Sequence, residues 1–219
     1  MGIAYSPKIV TDGLVLCLDA ANPKSYPGTG TAWTDLSGNG NNGTLVNGVG
    51  YTSDNKGSLV FDGVNDYINM GASNTWAIGT DGAIEQWVYP TDSKGNDRLW
   101  SVINNSSSLD AYLNGTGYNV YMHGATVGTT TPLIKDAWNH LVASYIGGTV
   151  QLYINGIAGV MTGSPVFNIT NTGTLYIGRF ISAGYEISGS ISGTKLYNRG
   201  LSAEEVQQNF NATRGRYGI

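Results

Sequence analysis

The chain has four glutamates, Glu85, Glu186, Glu204 and Glu205, and glycoside hydrolysis needs two facing carboxyls. Retaining chemistry sets them about 5–5.5 Å apart and inverting chemistry about 6.5–9.5 Å apart. Glu85 lies in "AIEQWVYP" with no second acid two or four positions on, and Glu186 is alone in "AGYEISG". Glu204 and Glu205 stand where a helix begins. A pair of aspartates from different strands leaves no mark in a sequence, so that route stays open. His123 and His140 belong to no Ser-His-Asp order and no His/Cys spacing suited to zinc. These residues point to a chain without catalytic activity.

Binding chemistry has more candidates. Calcium takes six to eight oxygen ligands, and "FDGVNDYINMG" supplies Asp62, Asn65 and Asp66 close together. The same residue types build ordinary turns, so the loop is expected to fold without the ion. Aromatic rings can stack on sugars. Trp87 and Trp138 sit in strand-like runs and read as core, whereas Trp33, Trp76, Tyr112 and Tyr118 lie nearer loops and are the candidates for glycan contact. The closing "RGRYGI" places Arg214 and Arg216 beside Tyr217, and Arg and Tyr are favoured interface anchors.

These residues must be positioned by many short elements. Charged residues make up 12% of the 219 positions, against about 25% in ordinary soluble domains. In their place stand 32 glycines and 14 tyrosines, the composition of strands joined by tight turns. A hydrophobic share of 41% is enough for a sizeable core. The net charge of −4 lacks the basic patch that nucleic acid requires. No run is long enough for a membrane span, and "MGIAYSPKIV" has no signal-peptide character, which predicts synthesis in a cytoplasm. Cys17, the single cysteine, alternates with Leu16 and Leu18 as a small buried side chain would.

Apolar alternation predicts about a dozen strands. In "AIEQWVYP", Ile84, Gln86 and Val88 share one face, and Glu85, Trp87 and Tyr89 the other. "WNHLVASY" and "TVQLYI" form a hairpin, and Asn155-Gly156 a further two-residue turn, because both positions need positive φ. One helix closes the chain: Ser202 caps it, Glu205 completes a capping box, Leu201 and Val206 staple it, and Val206 and Phe210 form its apolar face. The stretch "DLSGNGNNGTLVNG", residues 35–48, reads as tight turns.

Four segments taken in order, "WTDLSGNGNNGTLVNG", "LVFDGVNDYINMG", "WNHLVASYIGGTVQLYINGIAG" and "GSISGTKLYNRGLSAEEVQQNF", resemble the laminin-G-like (type 3) domain. The resemblance implies a concanavalin A-like jelly roll, an all-β antiparallel sandwich with one short C-terminal helix. It places an arm at residues 1–13, the jelly roll at 14–210 and a tail at 211–219. Hydrolases of this fold carry Glu-x-Asp-x-(x)-Glu on one strand, which is absent here; many relatives bind calcium at edge loops, and the fold gives no other reason to expect a cofactor. The two ends of the chain are similar to stand-alone domains of tailed-phage virion proteins. That implies a virion-surface structural protein, a capsid decoration or fibre component, partnered by virion subunits, copies of itself among them. A carbohydrate-binding adhesion module contacting host surface glycans is the alternative.

Overall fold

A computed structural model describes residues 7–73, 76, 81–92, 95–103, 108–115, 117–122, 125–163, 173–181 and 184–219. Among them the chain runs through β1 (Leu14–Asp19), β2 (Ala32–Trp33), β3 (Gly43–Val46), β4 (Gly50–Thr52), β5 (Ser58–Asp62) and β6 (Tyr67–Ser73). It continues with β7 (Gly82–Pro90), β8 (Asp97–Ile103), β9 (Ser108–Asn114), β10 (Gly117–Met122), β11 (Ala125–Thr129) and β12 (Asn139–Ile146). The remaining elements are β13 (Thr149–Ile154), β14 (Ile157–Ala158), β15 (Met161–Thr162), β16 (Gly173–Ile177), β17 (Ser188–Tyr197) and helix α1 (Ala203–Thr213).

The strands form two antiparallel sheets. One runs β14-β13-β12-β7-β17-β5-β4, with β1 beside the far half of β17; the other runs β15-β11-β10-β9-β8-β16-β6-β3-β2. The expected sandwich is present. Between the sheets, Leu16, Leu18, Phe61, Ile84, Val88, Leu141 and Leu196 meet Ile68, Trp100, Leu109, Leu113, Val120 and Ile177. The alternation in β7 holds: Ile84 and Val88 enter this core with Gln86. The Gln86 amide donates to Thr194 Oγ1 at 3.0 Å and to the Leu99 carbonyl of the opposite sheet at 3.4 Å.

The outer face of the eight-stranded sheet is also covered. The capping box forms, with the Glu205 amide donating to Ser202 Oγ at 3.3 Å and the Ser202 amide to Glu205 Oε2 at 2.9 Å. It starts α1 over this face, where Val206 and Leu201 pack on Val142, Tyr153, Tyr197 and Val10. The helix runs past Phe210 to Thr213 and leads into a 3-10 turn at Arg214–Arg216, so the expected tail belongs to the packed layer. Asn155 and Gly156 both take positive φ, 52° and 79°, in the expected turn. No described helix is long and apolar enough to cross a membrane.

The Gly/Asn stretch is a hydrogen-bonded hub. The Asp35 carboxylate accepts from the amides of Cys17 (2.9 Å), Ser37 (2.8 Å) and Asn41 (3.0 Å), while Asn42 Oδ1 accepts from the Asp35 amide at 2.9 Å. These bonds tie the turns to β1 and account for the stretch structurally.

Candidate functional site

Three of the four loop aromatics expected to meet glycans are core residues. Trp33, Trp76 and Tyr118 are buried with the sandwich interior, and Trp76 Nε1 spends its proton on the Gly71 carbonyl at 2.9 Å. Trp33 lies on the short edge strand β2, and Tyr118 lies on β10 two positions before Val120, so these rings share the inward face of the sheet and fill the space between the two layers. Tyr112 alone stays half-exposed.

The tail residues are likewise committed within the fold. Arg216 pairs with Asp19 at 2.6 Å and donates to the carbonyls of Asn55 (2.7 Å) and Gly57 (2.6 Å). Tyr217 is buried against Trp87, with its hydroxyl on Ser192. Arg214 is exposed and lies 5.7 Å from the Phe210 ring centre. Buried anchors of this kind cannot serve as a free docking arm.

At the expected calcium loop, Asp62 Oδ1 accepts from the amides of Val64 (2.8 Å) and Asn65 (3.3 Å), and Asp66 Oδ2 accepts from the Asp62 amide at 3.1 Å. The Asn65 carbonyl takes the Asn47 amide at 2.8 Å. Burial raises the Asp66 carboxyl above its ordinary range, and only its Oδ1 is left without a partner. Amide protons aimed at these carboxylates make them turn acceptors. The set does not fit an ion needing six or more oxygens. Among the described residues no group of three His, Cys, Asp or Glu side chains could hold a metal.

A different surface draws polar chemistry together. In β9, Leu109, Ala111 and Leu113 point into the core, so Ser108, Asp110 and Tyr112 face outward. The register extends this outer row across the sheet: Tyr121 opposes Asp110, Asp110 opposes Ser101, Ser101 opposes Tyr176, and Tyr176 opposes Asn69. The neighbouring rung is Asn119, Tyr112 and Arg98. Arg98 stacks over Tyr112 at 4.4 Å, lies 5.1 Å from the Tyr185 ring and 5.4 Å from Phe180, and places Nε 2.7 Å from Asp110 Oδ1. Arg179 stacks over Tyr67 at 4.3 Å, and Tyr67 meets Tyr176 edge-on at 5.8 Å. These rings and guanidinium groups are half-buried, so each keeps accessible surface. Asp110 is fully buried beneath them. Burial pushes its carboxyl up to about 6, and Arg98 offsets only part of that cost.

Sequence reasoning reached only Tyr112 of this cluster. The missed signal was the outward half of the alternation: "SLDAYLN" and "GTLYI" place polar and aromatic residues at the positions their core leucines leave over. The chemistry such a surface offers is that of contact: aromatic faces can stack, and guanidinium and hydroxyl groups can donate to ligand oxygens.

Glu85 lies on the opposite, covered side of the sandwich. Its Oε1 is 2.5 Å from Lys195 Nζ and 3.2 Å from His140 Nε2, and its Oε2 accepts from Asn209 Nδ2 at 2.6 Å. Burial opposes its charge, but Lys195 and His140 hold the carboxyl well below the usual range. Glu186 is buried and accepts from the Gly184 amide at 2.8 Å. His123 lies outside the described residues.

A family model described as the concanavalin A-like lectin/glucanases superfamily matches residues 61–207. No curated protein sequence matches the chain. Among solved structures, domain 4 of an extracellular GH43 arabinanase from Geobacillus stearothermophilus, in complex with arabinotriose, superposes with a TM-score of 0.72 at 16% identity, covering 90% of this chain and 97% of that one. The binding domain of Paraclostridial Mosquitocidal Protein 1 gives 0.70 at 18% identity, covering 92% of this chain and 52% of that one. A Trypanosoma rangeli sialidase gives 0.74 at 17% identity, covering 100% of this chain and 37% of that one. The chain thus spans about half the toxin binding domain and just over a third of the sialidase.

Proposed function

We propose that this chain, which belongs to the concanavalin A-like lectin/glucanases superfamily, is a carbohydrate-binding module that holds an oligosaccharide on the outer face of its nine-stranded sheet. The observation that carries this reading is the row of half-buried tyrosines flanked by Arg98 and Arg179 on that face. The outer face of the other sheet is occupied by α1 and the chain ends. Of the two roles expected from the sequence, glycan-binding module and virion structural protein, this surface favours the first. The arabinotriose complex of the arabinanase domain, a similar fold, supports a sugar as the ligand class.

The reading is non-catalytic. Glu85 is bound up in a buried network, and Asp110 is buried beneath Arg98. A particle-surface placement would turn the open sheet face outward, and a map of the intact particle would test that. The binding itself is tested by a glycan array probed with the full chain, followed by calorimetry with arabinotriose and the best array ligand. Binding that Tyr176→Ala abolishes is the expected result. A chain that binds no array glycan would overturn the proposal.

A further inference from the structure

Lys195, Glu85 and Asn209 are brought together by three elements in a chain that carries few charges. Lys195 on β17 stands directly opposite Glu85 on β7 in the strand register, and α1 lowers Asn209 onto the pair from above. Glu85, His140 and Asn209 are buried and Lys195 nearly so. An ion pair alone does not need a carboxamide seated on the same carboxylate. Here Lys195 Nζ meets Oε1 at 2.5 Å and Asn209 Nδ2 meets Oε2 at 2.6 Å, so one carboxylate holds an amine beside a carboxamide. Asn209 is fixed in orientation as well. Its Oδ1 accepts the Val10 amide proton at 2.7 Å, and its Nδ2 also donates to the Tyr197 hydroxyl at 3.0 Å.

We propose that Lys195 and Asn209 join in an intramolecular isopeptide bond, formed by the folded chain itself with Glu85 as the proton carrier. At rest Glu85 and Lys195 hold each other as carboxylate and ammonium, so the reactive form is the one in which a proton has crossed the 2.5 Å contact to Glu85 and left Nζ a neutral, nucleophilic amine. Nζ forms a bond to Cγ of Asn209, and the developing oxyanion on Oδ1 is held by the Val10 N–H, as an oxyanion hole requires. The Cγ–Nδ2 bond breaks as Glu85 passes the protons from Nζ to Nδ2. Lysine ammonium and asparagine carboxamide become one secondary amide and one ammonium ion, and Glu85 returns to carboxylate. No oxidant or cofactor enters.

The surroundings suit the step. Trp87, Phe210 and Tyr217 cluster above the triad, and fixed neighbours raise the effective concentration of amine and amide. A cavity of about 220 Å³ lined by Cys17, Trp87, Lys195, Thr213 and Tyr217 offers the released ammonia a way out. The product would tie the last strand of the sheet covalently to the helix that covers it.

Mass spectrometry of the intact wild-type chain tests this directly. The expected mass is lower by one ammonia than the sequence requires, measured against the Lys195→Arg variant after allowing for the substitution. Digestion should yield a branched peptide joining Lys195 to Asn209, which separates this bond from ammonia loss at an Asn-Gly site. Glu85→Gln, where it folds, should remain at full mass. A wild-type chain at full mass, with Lys195 and Asn209 recovered in unlinked peptides, would overturn the proposal whatever the variants do.

Discussion

Tyr217 stacks on Trp87 with ring centroids 3.9 Å apart and planes 23° from parallel, which fastens the end of the chain to the middle of a sheet. Trp138 also packs against Tyr217, tilted by 46° with ring centroids 4.8 Å apart. A segment that could have frayed is a lid over the outer face of β7, and Arg216 bolts it to Asp19 and the loop before β5.

The last residues should therefore contribute to stability. Tyr217→Ala removes a buried ring and should cost about 3–5 kcal/mol, the usual range for truncating a packed aromatic. Deleting Arg214 to Ile219 should cost at least as much. Urea unfolding of both variants checks this. An unchanged midpoint would mean that the stack does not form in solution.

Asp110 sets the sign of a pH dependence. Its carboxyl rises from 3.8 to about 6 on folding, so between those values the native state holds a proton that the unfolded chain has released. Stability must then fall as pH rises from about 4 to 6, by about 3 kcal/mol for an offset of this size. Glu85 acts in the opposite sense. Its pKa is depressed on folding, so its contribution is present above the unfolded value of 4.5 and is lost as pH falls below it. Maximal stability is expected a little above pH 4, where the two opposing slopes cancel, and Asp110→Asn should flatten the slope above that. Stability that climbs from pH 5 to 7 in urea titrations would contradict this assignment.

The turn at Asp62–Asp66 should be indifferent to calcium. Its carboxylates already accept backbone amide protons, so chelation removes nothing the turn uses. Thermal unfolding with EDTA should match unfolding with added calcium. A melting temperature raised by calcium and lowered by EDTA would show that the loop recruits further oxygens.

Much of this architecture was legible in local chemistry. The capping box, the staple and the Asn155-Gly156 turn depend only on neighbours in sequence, and each formed as the residues required. The alternation in β7 was also readable, but what covers each face was not. Glu85 and Trp87 fall on the face away from Ile84 and Val88, and nothing local says that α1 and Tyr217 close over that face. Trp33 failed for the same reason, whereas Tyr118 is a strand residue that shares the inward face of β10 with Val120. A ring near a loop is exposed or buried according to how the loop folds back, and that depends on contacts far away in sequence. The proposed sugar face was half-visible, since the outward positions of β9 and β16 follow from their inward leucines. Which outward residues meet across strands depends on register, which the sequence leaves open.

The proposed sugar face and the core aromatics should separate cleanly under mutation. Tyr176 lies on the open face with its ring edge against Tyr67, and its strand neighbours Leu175 and Ile177 already fill the core. Tyr176→Ala should therefore shift stability by no more than about 1 kcal/mol, as for a half-exposed cross-strand pair, while removing a stacking surface worth binding. Trp33→Ala should do the reverse: it empties a buried site at a cost of about 3–5 kcal/mol and leaves no binding contact missing in the molecules that remain folded. Arg179→Ala should weaken binding with little loss of stability, because among the described residues its guanidinium hydrogen-bonds to the carbonyls of Phe180 and Ile181, its neighbours in sequence. Calorimetry with the array-selected glycan, beside urea unfolding of the same samples, reads both effects. If Trp33→Ala abolished binding at a temperature where it is folded, while Tyr176→Ala and Arg179→Ala bound normally, the sugar would lie at the edge near β2 and the open sheet face would be only a surface.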